Sequence, residues 1–135
     1  MTNNEKAFQE YYEDAAAVCY GCGQLNPLGL QIKSYWEGDE AVCRFQPATY
    51  HTSFPGYVYG GLIASLIDCH STGTAAAAAY RAQERPLGSD PPIRFVTGSL
   101  HVDYLKPTPI SEMLTVRATV KAIDGRVVTV ATELY

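Results

Sequence analysis

Residues 59 to 80 read YGGLIASLIDCHSTGTAAAAAY, and within residues 62 to 79 only Asp68 and His70 are readily charged near neutral pH. The pattern predicts one long helix from about Gly60 to Gln83, stopped by ERPLGSDPPI, where Pro and Gly forbid continuation. With so little charge, most of its circumference must be buried rather than a single stripe. Gly73 and Ala75 to Ala79 carry little side chain, so neighbouring backbone is expected to approach closely there. Such a helix needs a cover, and the question is what surrounds it and why it keeps a carboxylate near its middle.

The remaining chain supplies strands. GLQIKSYW and AVCRFQP flank EGDE and read as two strands joined by a tight Gly-containing hairpin. After the helix, VTGSLHVDYLKP alternates Leu100, Val102 and Tyr104 against His101, Asp103 and Leu105, which predicts a third strand. LTVRATVKA alternates more cleanly, with Thr115, Arg117, Thr119 and Lys121 outward, and Asp124-Gly125 then turns the chain into RVVTVATELY. Residues 4 to 17 place Phe8, Tyr11, Tyr12 and three alanines at helical spacing, which predicts a short helix on the outside. The order is strand, strand, long helix and three strands, with hairpin links that imply an antiparallel sheet curling around the helix.

A chain of 135 residues with 47% hydrophobic and 18% charged residues suits one compact domain. A net charge of −4 with scattered Lys and Arg argues against nucleic acid, which needs a concentrated basic face. No stretch reaches the roughly 20 apolar residues of a membrane span, and MTNNEKAFQEYYED lacks the charged-then-apolar pattern of a signal peptide, so the expected location is cytoplasmic. Cys19, Cys22, Cys43 and Cys69 are then expected as thiols. Cys19-x-x-Cys22 lacks a second ligand pair in the sequence, so no metal is expected and CGQLNPLGL reads as a turn carrying small buried thiols.

Three stretches, CGQLNPLGL, FPGYVYGGLIASLIDCHSTGTA and LHVDYLKPTP, together resemble the hotdog fold, and in particular the PaaI-like acyl-CoA thioesterases. The resemblance implies an α+β fold with a curved antiparallel sheet wrapped around one central helix. It also implies hydrolysis of a thioester between an acyl group and coenzyme A, with no metal or other cofactor. Carried over by position, Gly60 gives its backbone N–H to the thioester carbonyl, Asp68 is the base or nucleophile, and Thr72 is the assisting hydroxyl. Two positions depart from the family pattern: Tyr59 stands for a His, and Ser53 for a Gln or Asn. The family also has one more strand after ATELY, so the sheet is expected to be one strand short.

Glycines at a helix start leave unpaired N–H groups in a partial positive field, which suits a developing oxyanion, and Gly61 lets substrate approach the backbone. Gly60 and Asp68 are, however, eight residues apart, about 12 Å along an α-helix, so they cannot both touch one carbonyl carbon. A symmetric homodimer, alone or as a dimer of dimers, resolves the conflict by setting Gly60 of one copy against Asp68 of the other. Thr72, at i+4 from Asp68, is expected to donate a hydrogen bond to it, whereas His70 lies about 200° around and reads as a structural or interface histidine rather than a base.

In the loop before the helix, Ser53 is placed to contact acyl group or water, and His51 either joins it or holds the loop. Tyr57 and Tyr59 either line an acyl pocket or fill a dimer seam. Lys106, Arg81 and Arg85 are the cations considered for the coenzyme phosphates, each against the plainer reading of a solvated charge. The competing function is a hotdog module that holds acyl-CoA without hydrolysing it.

Overall fold

In the computed structural model, which describes residues 6–135, helix α1 runs from Gly60 to Ala82 against a four-stranded antiparallel sheet of order β1-β2-β3-β4. The strands are β1 (Ser34–Glu37), β2 (Glu40–Phe45), β3 (Leu114–Asp124) and β4 (Val127–Leu134). One long helix on a curved antiparallel sheet is the arrangement that the hotdog resemblance implied.

Both hairpins form at their expected turns because each has a glycine that accepts positive φ. Gly38 sits at φ 65° between β1 and β2, and Gly125 at φ 61° between β3 and β4. A Cβ in that region costs roughly 1 kcal/mol, which glycine avoids. Along β3 the expected alternation holds at first, with Leu114, Val116 and Ala118 buried and Thr115, Arg117 and Thr119 half-buried. A register shift between Val120 and Ala122 then bulges the strand at Lys121.

The helix meets the sheet through its smallest residues. Ala77 packs against Ala41 of β2 and Ala118 of β3, with Phe8 beside them. Every residue from Gly73 to Tyr80 is buried, so the absence of a single apolar stripe reflects cover on all sides of this half of the helix. Gly73 is needed at its position: a Cβ there would lie 2.9 Å from the Gln9 amide nitrogen. Below these alanines, Leu62, Ile63 and Leu66 join Ile32, Leu114 and Val116 in the larger apolar cluster.

Two expected elements differ. The helix placed at residues 4 to 17 is, within the described residues, a single 3-10 turn at Phe8–Tyr11. Tyr12 leaves it in extended backbone, and Ala7, Phe8, Gln9 and Ala17 are buried rather than lying on the outside. Gln9 explains the break, because its amide bonds Ser34 of β1 and pins this turn into the core. The strand expected at residues 96 to 107 pairs with no strand of the described chain. A strand exists only through a neighbour's hydrogen bonds, and here an open cleft separates this segment from the outer edge of β4.

Candidate active site

The cleft has a volume of about 1110 Å³ and lies between one face of α1, the segment 95–109 and β4. From α1 it is lined by Ile63, Ile67, Asp68, Ser71, Thr72 and Ala75, a set spaced for one helical face. The opposite face, through Leu66, His70 and Ala77, packs on the sheet. A half-buried carboxylate thus borders an open volume, which explains why so apolar a helix keeps one.

Asp68 is held by a residue that the sequence did not single out. The Thr97 hydroxyl donates to Asp68 Oδ1. With its proton committed there, Thr97 accepts from the Thr72 hydroxyl, 3.2 Å away. Thr72 therefore supports the acid through Thr97, not directly as the i+4 spacing suggested. Spacing could not find Thr97, since it is 29 residues from Asp68.

At the other end of the helix, Tyr59 is the N-cap residue and its side chain makes no capping hydrogen bond. The N-cap side chain thus leaves the first N–H groups of α1 uncapped. Tyr104 reaches this end and donates its hydroxyl to the Gly60 carbonyl at 2.8 Å. A Cβ on Gly61 would lie 2.4 Å from the Tyr59 ring, so Gly61 is what lets that ring fold over the helix start. The preceding loop is tied down by the Tyr57–Pro109 bridge and by Val58 N–H donating to the Thr108 carbonyl.

The other expected residues separate into those at the cleft and those away from it. Lys106 lines the cleft. Arg81 does not, being laid over the Trp36 ring at 3.8 Å, and Arg85 is engaged with Ser89. His51 holds the loop: its Nδ1 accepts from the Ala48 N–H at 2.9 Å, and its ring packs edge-on to Tyr50. Ser53 hydrogen-bonds within the same loop, its N–H donating to the Tyr57 carbonyl. Tyr57 and Tyr59 are both largely exposed.

His70 is sealed in the core. Its Nε2 donates to the Ala41 carbonyl and its Nδ1 accepts from Ser34 Oγ, both at 2.8 Å, and the Gln9 amide donates to that same hydroxyl at 2.9 Å. The carbonyl can only accept, which fixes the tautomer. Burial pushes its pKa down to about 4, against the opposing pull of the Ala41 hydrogen bond. It is a structural residue, as its angle from Asp68 implied. Cys43 and Cys69 are not poised as nucleophiles either. Burial pushes Cys43 up to about 11, and a hydrogen bond donated by the Cys69 S–H to Cys22, then burial, raises Cys69 above the usual thiol range.

A helix seated on a curved antiparallel sheet, with an acid facing a cleft and an uncapped Gly-Gly helix start, defines the hotdog class. The sequence profile of the thioesterase superfamily matches residues 55–135, and the chain belongs to that superfamily. Among solved structures, a thioesterase superfamily protein from Shewanella loihica PV-4 is similar, with a TM-score of 0.69 and 43% identity over 91% of this chain and 87% of that one. Among curated proteins, the acyl-coenzyme A thioesterase THEM4 of Rattus norvegicus is 31% identical over 101 residues, covering 73% of this chain and 38% of that protein. The Xenopus laevis protein of the same name is 35% identical over 85 residues, or 63% of this chain and 32% of that one. The chain thus spans well under half the length of these curated relatives. No helix among the described residues is long and apolar enough to cross a membrane.

Proposed function

We propose that this chain hydrolyses acyl-CoA thioesters, with Asp68 as general base or nucleophile and the Gly60 N–H of a second copy as the oxyanion contact. The observation that carries this reading is the hydroxyl chain from Thr72 through Thr97 to Asp68 on the cleft face of α1. Such a chain orients a carboxylate towards open volume, which a purely structural acid does not need. Membership of the thioesterase superfamily supplies the reaction class.

The chemistry follows from the groups present. Either Asp68 takes a proton from water, whose oxygen attacks the thioester carbonyl, or the carboxylate attacks and water cleaves the resulting anhydride. On both routes negative charge gathers on the carbonyl oxygen, the C–S bond breaks, and coenzyme A leaves as a thiol after taking a proton. The uncapped N–H groups at Gly60 and Gly61 suit that charge. The eight residues between Gly60 and Asp68 put the two about 12 Å apart along α1, so a complete site draws on two copies in a homodimer. Lys106 lines the cleft, and a cation there suits a phosphate of the coenzyme, while Ser53, Tyr57 and Tyr59 belong to the loop that leads into Gly60 and would meet the acyl group from that side.

Mixing two inactive variants tests both the chemistry and the dimer. Asp68→Asn should lower acyl-CoA hydrolysis by roughly 10²- to 10⁴-fold, read as release of free thiol. Refolding it together with a Gly60→Pro chain creates heterodimers with one intact site, restoring about a quarter of wild-type activity by random assortment. Full activity in Asp68→Asn would remove the acid from the mechanism, and a mixture as inactive as its parents would remove the shared site. Tight acyl-CoA binding without thiol release by the wild-type chain would favour the binding module instead.

A further inference from the structure

By sequence the turn at residues 19–23 offers two thiols, too few for a metal site, but the fold adds a third. Cys69, 47 residues after Cys22, projects from α1 so that the sulfurs of Cys19, Cys22 and Cys69 all lie within 4.8 Å of one another. Cys19 Sγ and Cys69 Sγ are 4.0 Å apart. Tetrahedral zinc with Zn–S bonds of about 2.3 Å needs sulfurs about 3.8 Å apart, and a trigonal arrangement about 4.0 Å. Small side-chain rotations therefore suffice.

The surrounding backbone is shaped for this gathering. The Gly23 N–H donates to the Cys19 carbonyl at 2.8 Å, closing a tight turn that brings the first two cysteines together. A Cβ on Gly21 would lie 2.3 Å from the Cys69 sulfur, so only glycine in the middle of the turn lets the third thiol settle over it. Leu30 N–H to the Tyr20 carbonyl and Ile32 N–H to the Gly21 carbonyl clamp the turn from the chain that follows. Packing explains the buried Cys22, and partly the half-buried Cys69, which border the apolar core. It does not explain Cys19, an exposed thiol set against the other two.

We propose that Cys19, Cys22 and Cys69 form a binding site for a thiophilic cation, with Zn²⁺ as the ligand. Three thiolates suit soft or borderline metals rather than Mg²⁺ or Ca²⁺. Binding exchanges three S–H protons for three Zn–S bonds and leaves a centre of net charge −1, its fourth position taken by water on the exposed Cys19 side. The metal would fasten the turn at residues 19–23 to α1 one residue beyond Asp68, on a side of the helix away from the cleft. Its role is a clamp, and it takes no part in hydrolysis.

The test uses the reduced full chain, titrated anaerobically with Co²⁺ and then Zn²⁺. The expected result is one Co²⁺ per chain with a strong thiolate-to-cobalt charge-transfer band, displaced by one Zn²⁺ with proton release and a higher melting temperature. Cys19→Ser, which removes the exposed ligand and leaves the core intact, should weaken Zn²⁺ binding roughly tenfold or more. Cys43→Ala, which removes the buried thiol of β2 outside the cluster, should bind as wild type. Absence of the charge-transfer band, equal affinity in Cys19→Ser, or a disulfide among the three cysteines that forms despite saturating Zn²⁺ would each overturn the proposal.

Discussion

Replacing Gly60 by proline deletes a single N–H while preserving the helix that carries it. Gly60 is the first helical residue after the Tyr59 N-cap, the position where proline is tolerated because its missing N–H has no partner within the helix. Tyr59 already has extended backbone, φ −62° and ψ 131°, as a residue before proline requires. A Cβ at position 60 would sit 3.5 Å from the Tyr104 ring, an ordinary contact. Stability should therefore hold or rise, by up to about 1 kcal/mol, through a less mobile unfolded chain. If that N–H stabilises the oxyanion, its loss should cost about 3–4 kcal/mol, or roughly 10²- to 10³-fold in kcat. Thiol-release kinetics and thermal melting on the same preparation read the two effects separately. Gly60→Ala serves as the control, since it keeps the N–H and should stay well above the proline variant. A folded Gly60→Pro enzyme with wild-type kcat would refute the reasoning.

Three further outcomes are expected. Thr97→Val removes the hydroxyl between Asp68 and Thr72, and losing a hydrogen bond to a charged group should lower kcat roughly tenfold or more with little change in KM; Thr97→Ser should restore it, and an unaffected kcat would show that the hydroxyl chain does not position the acid. His70 titrates near 4 when folded and near 6.5 when free, so the unfolded chain binds the extra proton between those values and stability falls as pH drops through that window, by about 3 kcal/mol in all. Urea unfolding between pH 7 and pH 4 should show that loss in wild type but not in His70→Gln, and an equal slope in both would exclude His70 as its source. Ala77→Leu forces three extra carbons into the seam with Ala41 and Ala118, so a loss of about 1–3 kcal/mol is expected in the same assay; an unchanged midpoint would mean the helix is not seated that closely.

What could be read from the sequence was what local chemistry dictates. Helix α1 was legible because a long apolar run ends at prolines, and both hairpins because a turn glycine falls between alternating stretches. The 3-10 turn at Phe8–Tyr11 was not, because Gln9 bonds Ser34, 25 residues away, and that tertiary bond overrides a helical spacing of apolar residues. The segment at residues 96 to 107 has a strand's alternation, yet pairing depends on a neighbour that periodicity cannot see. The candidate site divides in the same way. Asp68 and Thr72 share a face at i and i+4, which spacing reveals, whereas Thr97 reaches them from a separate segment. The three-thiol cluster was hidden likewise, since its third member stands on the helix rather than in the turn.

The buried chain from Gln9 through Ser34 to His70 and the Ala41 carbonyl joins the 3-10 turn, β1, α1 and β2. It works like a key in a keyway. Sliding α1 by one residue, or rolling it on its axis, would strand an imidazole and an amide without partners where no water reaches. The azimuth of Asp68 is thereby locked from behind, by atoms that no substrate touches. Changes in what the cleft accepts must then come from residues 95–109 and the cleft side of β4, whose reshaping leaves that lock closed.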